Sequence, residues 1–135
     1  MTFQEIPSTI RQMTAYDLLT ATILTKPGSP HFKEEALEFG LRQAVAGNRR
    51  LEQRLFTPRC DGSSPEHPNS IEASLGMMNG FHILEYAGDY QTMHMPEEMR
   101  KLALTRLKER YGNNVLEEVT PFAAAVWEAA GKYTH

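Results

Sequence analysis

The sequence predicts an all-α fold: one compact, non-repeating bundle of about five to six helices across residues 1–135. Three observations carry this. Apolar residues recur mostly at helical spacing, proline-then-acid and glycine signals punctuate the chain at helix-sized intervals, and no segment repeats at a fixed period. No sheet larger than a local hairpin is expected. With 135 residues, 41% apolar and 23% charged, the composition is globular and sufficient for one hydrophobic core.

The first helix is expected from Ser8 to about Thr25, where Ile10, Met13, Ala21 and Leu24 share a face. Within it, Leu19–Ile23 also alternates like a strand and is rich in β-branched residues, before Pro27-Gly28 ends the segment. A second helix is expected with Ser29 as N-cap, Pro30 in the first turn, and Glu34 and Glu35 favourably placed at the positive end of the dipole. Leu37, Leu41, Ala44, Asn48, Leu51 and Leu55 then follow one helical line, with Phe32 and Phe39 opposite, so a single helix should run past residue 50.

Residues 57–69, with three prolines and no apolar periodicity, read as a flexible loop. The next helix should open at Asn69 or Ser70 and run through to Tyr90. Ala73, Gly76, Gly80 and Ala87 form a strip of small residues that would admit a neighbouring backbone, making this the expected central packing helix. Met95-Pro96-Glu97-Glu98 starts another helix, which ends with basic residues at Tyr111-Gly112. A short turn at Val115–Val119 and a restart at Thr120-Pro121 should bring Val126, Trp127, Ala130 and Tyr133 onto the core.

Charge is unevenly distributed. From Phe39 to Cys60 lie Arg42, Arg49, Arg50, Arg54 and Arg59 against one acid, Glu52, a local charge of +4 in a chain of net charge −3. Arginine's planar fork grips carboxylate or phosphate through two hydrogen bonds, so Arg49, Arg50, Arg54 and Arg59 are the expected binding surface. A solvated face paired with acids elsewhere is the structural alternative. The acidic pI near 5.9 and the scarcity of aromatics among these arginines argue against extended nucleic-acid binding.

A second constellation is His82 and Glu85, three apart on an apolar stripe of the expected helix. Shielded together there, they would suit an acid/base pair or, more weakly, metal ligands. A satisfied histidine–glutamate hydrogen bond needs no function. His31 and Glu34 repeat the spacing, but in the reverse order to the Glu-x-x-His of di-iron bundles. Met93-His94-Met95, with Met77 and Met78, offers soft copper ligands, though methionine more commonly fills cores. Cys60, beside Arg59 and near His67, lacks a nucleophile signature, and a lone cysteine suits a reducing compartment.

The first functional reading is therefore a small helical binding or regulatory module that recognises an acidic protein surface or other anion, a role open to a homodimer. The alternative is an enzyme or metal- or ligand-binding protein with a pocket around His82 and Glu85. No cofactor is expected and no catalytic residue is assigned on the first reading. The N-terminus lacks a secretory leader and no run approaches the ~18 apolar residues of a membrane span, so a cytoplasmic location without a membrane partner is expected.

Overall fold

The computed structural model describes residues 8–56, 70–88 and 91–133. Among these, the helices are α1 (Ser8–Gln12), α2 (Ala15–Leu24), α3 (Glu34–Val45), α4 (Arg49–Phe56), α5 (Ile71–Gly80), α6 (Glu97–Tyr111) and α7 (Val115–Ala130). The only sheet among the described residues pairs β1 (Glu85–Tyr86) with β2 (Met93–His94) as an antiparallel hairpin. The fold is all-α, as the periodicity predicts. The expected loop at 57–69 lies outside the described residues.

The expected first helix is two helices. Thr14 adopts extended backbone and its hydroxyl accepts from the Asp17 amide at 3.0 Å, capping α2 and separating it from α1. The strand-like run Leu19–Ile23 is helical because its threonines satisfy themselves locally. Thr20 and Thr22 hydroxyls donate to the carbonyls of Tyr16 and Leu18, four residues back, at 2.8 and 2.7 Å. Their polar groups can then enter the core.

Ser29 and Pro30 do not start α3. Phe32 forms a bridge with Met93 through reciprocal amide-to-carbonyl bonds of 2.9 and 2.7 Å, which extends the hairpin and keeps this stretch non-helical. Helix begins at Glu34, with both glutamates in its first turn as expected. Nor does it continue past residue 50. Ala46 turns extended, Gly47 takes φ +92°, and Asn48 restarts the chain as the cap of α4, its Oδ1 accepting from the Leu51 amide at 3.1 Å. Asn48 sat on the apolar line because a capping residue precedes the helix it serves, not because it faces the core.

α5 starts as expected, with the Ser70 hydroxyl accepting from the Ala73 amide at 3.1 Å, but stops at Gly80. His82 takes the left-handed conformation at φ +59°, the Ile83 amide bonds to the Met78 carbonyl at 2.8 Å, and the His82 amide to the Asn79 carbonyl at 3.3 Å. This is a Schellman terminus with histidine in the place glycine usually takes. The small-residue strip has no packing role. Ala73, Gly76 and Gly80 are exposed, and an added Cβ at either glycine would meet nothing within 4 Å.

The close backbone approach is elsewhere. At Gly40 a Cβ would collide with the Val126 carbonyl and sit 3.2 Å from Ala130 Cβ, so α3 crosses α7 nearly backbone to backbone. α7 is the central helix, packing on α1, α2, α3 and α6. It runs unbroken through Pro121, where a restart is predicted from the sequence, and buries Val115, Val119, Phe122, Ala123, Val126, Trp127 and Ala130. Trp127 Nε1 donates to the Thr22 carbonyl at 2.9 Å, satisfying one of the terminal acceptors of α2. One hydrophobic cluster draws on every helix and on the hairpin.

Candidate anion-binding cleft

α4 is short and amphipathic, with Leu51 and Leu55 buried and Arg49 and Arg50 exposed in its first turn. The Arg54 guanidinium, one turn beyond Arg50, donates to the main-chain carbonyl of Arg11, in the last turn of α1. This contact brings two distant stretches of chain together. Arg11, Asn48, Arg50, Leu51 and Arg54 line a surface cleft of about 450 Å³, and no described residue of its lining is acidic.

Of the expected arginines, Arg50 and Arg54 share the cleft. Arg49 projects from the same helix end but is not part of the lining, and Arg59 lies outside the described residues. Arg42 is drawn away, pairing with Glu38 at 3.2 Å and stacking 4.1 Å over the Phe56 ring. Arg11 was not legible as a member, because only the α1–α4 contact makes residues 11 and 54 neighbours. Neither Arg11 nor Arg50 has an ion pair among the described residues.

The electrostatics of α4 are inverted relative to what helix stability favours. The positive end of a helix dipole stabilises acids, and each misplaced charge there typically costs a few tenths to about 1 kcal/mol. Yet α4 opens on Arg49-Arg50, with Glu52 the only acid of its first turn. An anion seated at that end would meet both the dipole and the guanidinium forks.

His82 and Glu85 do not form the expected shielded pair. Both are exposed, and they lie beyond the end of α5, His82 in the left-handed turn and Glu85 in β1. The helical spacing that would have faced them inward ends at Gly80. Met78, Met93 and Met95 are buried in the core and Met77 is half-buried. His31 precedes α3 and packs its ring 4.9 Å from that of His94. Among the described residues no group of three or more histidine, cysteine or acidic side chains could hold a metal ion. Cys60 and His67 lie outside the described residues.

A polar constellation that sequence reasoning missed surrounds Asp17, which is only 1% exposed on α2. Its carboxylate accepts from the Tyr111 hydroxyl at 2.6 Å and pairs with Arg110 at 3.1 Å and Arg106 at 3.4 Å. Arg106 also lies 5.1 Å over the Tyr16 ring. Burial, reinforced by the neighbouring carboxylate, pushes the Tyr111 hydroxyl up to about 12. Burial raises Tyr16 as well, against the opposing pull of Arg106. The available signal was a lone acid within the apolar run from Ala15 to Ile23, which demands a buried counter-charge. The basic residues ending α6 supply it. Tyr111, Arg110 and Arg106 of α6 all converge on Asp17 of α2, which marks this as a clasp between the two helices.

No family model, curated protein or solved structure matches this chain. No described helix is long and apolar enough to cross a membrane.

Proposed function

We propose that this chain is a small helical binding module that recognises an acidic protein surface, or another anion, at the cleft formed by Arg11, Arg50 and Arg54. The carrying observation is the placement of Arg49 and Arg50 at the positive end of α4, beside a cleft whose described lining is basic or neutral. Exposed ion pairs contribute only ~0–1 kcal/mol each, so stability gives little reason to gather arginines at the helix end that disfavours them. Recognition supplies one. A concentrated positive field raises the encounter rate with anionic partners, and the forks then fix their orientation.

A fluorescently labelled poly-glutamate peptide provides the direct test, with anisotropy as readout and inorganic phosphate as competitor. Binding should weaken with added salt and fall by about tenfold or more in the Arg49→Glu, Arg50→Glu double variant, which removes about 1.4 kcal/mol or more of interaction. Circular dichroism should show the helical fold retained, since both side chains are exposed. Displacement by phosphate at low concentration would point to a small anion, and persistence of binding to an extended acidic surface. Equal affinity in the folded double variant overturns the proposal.

A further inference from the structure

We propose that the chain pairs with a second copy of itself through an antiparallel contact between α6 helices, centred on Leu102. α6 is 15 residues long, yet Leu107 is its only fully buried residue. Leu102, at the middle of the helix, is 65% exposed. It borders a groove of about 160 Å³ lined by Met99, Ile83 and Tyr16 with Asp17 and Arg106 of the clasp at its polar side, and Phe81, two residues before Ile83, is 72% exposed. Among the described residues nothing covers this largely apolar surface.

Its occupant is indicated by charge. Residues three and four apart share a helix face, so Glu98, Met99, Leu102, Thr105 and Arg106 lie together, with the acid one turn before the leucine and the base one turn after. A two-fold axis through Leu102 therefore sets Glu98 against the partner's Arg106, and Arg106 against the partner's Glu98. The pattern is complementary to its own antiparallel copy, which is what an isologous interface requires. A parallel pairing would oppose like charges. Glu98 is exposed and has no ion pair among the described residues, whereas its neighbour Glu97 is engaged by Lys101 at 3.8 Å. Arg106 pairs with Asp17 through one nitrogen and also engages Tyr16, yet its side chain stays 48% exposed and its five N–H donors leave some for a second carboxylate. The apolar surface drives association, and the charges fix its direction.

Sedimentation velocity over a concentration series tests this. The unmodified chain should self-associate, and Leu102→Asp and Glu98→Lys should each raise the dissociation constant by about tenfold or more. Both positions are exposed, so circular dichroism should be unchanged. A Leu102→Cys variant in a Cys60→Ser background should cross-link to a covalent dimer under an added oxidant, because the two thiols meet at the axis. A chain that stays monomeric into the millimolar range overturns the proposal, and would leave the surface to a different protein. A dimer that neither charge variant weakens, or in which the Leu102→Cys thiols do not join, overturns it equally.

Discussion

The hydroxyl of Tyr111 lies 2.6 Å from Asp17 Oδ2 and donates to it, fastening the last turn of α6 to the first turn of α2 across 94 positions of sequence. The clasp couples stability to alkaline pH with a definite sign. Below the ordinary tyrosine value of 10.0 the hydroxyl is protonated whether the chain is folded or unfolded, and the clasp contributes in full. Above it the unfolded chain releases the proton while the folded chain holds it until about 12, so stability falls as pH rises through that window. Tyr111→Phe should cost about 1–3 kcal/mol at neutral pH, since it leaves a buried carboxylate short of a donor. It should also flatten the loss between pH 10 and 12 that urea titrations of the unmodified chain are expected to show. An equally steep loss in the variant would place the titrating group elsewhere.

At the end of α5, His82 bears the steric cost of a left-handed residue with a Cβ. His82→Gly should therefore raise stability by about 0.5–1 kcal/mol, measured as a shift in urea midpoint at constant slope. Destabilisation instead would mean that the imidazole makes contacts worth more than the backbone strain it carries.

Two glycines should respond in opposite directions to the same substitution. Gly40→Ala drives a Cβ into the Val126 carbonyl at the α3–α7 crossing and should cost about 3 kcal/mol or more, because neither backbone can retreat without opening the core. Gly76→Ala adds a methyl to an exposed mid-helix position with nothing within 4 Å and should stabilise by about 1 kcal/mol through helix propensity. Thermal melts of the two variants check the contrast. A stabilised Gly40→Ala protein would contradict the close crossing.

By itself the sequence determined the elements whose signals are local. The all-α class, the Ser70 cap, the Glu34-Glu35 first turn, the Pro96 start and Gly112 stop of α6, and the core-facing Val126, Trp127 and Ala130 all depend on spacing, capping and the helix dipole, which act within a few residues. Tertiary structure decided whatever depends on partners distant in sequence. Phe32 pairs with Met93 and is withheld from α3, and the clasp gives Asp17 its counter-charges from α6. The strip of small residues looked like a packing groove because composition does not state which face meets a neighbour. Gly40 has that role because α7 crosses there. His82 and Glu85 lost their common face for a local reason that histidine disguises, since glycine is the usual signature of a left-handed cap. The candidate cleft divides along the same line. Its arginines on α4 were visible as a run of charge, but Arg11 joins them only through the contact of α1 with α4, and contacts between elements are set by how the whole core closes.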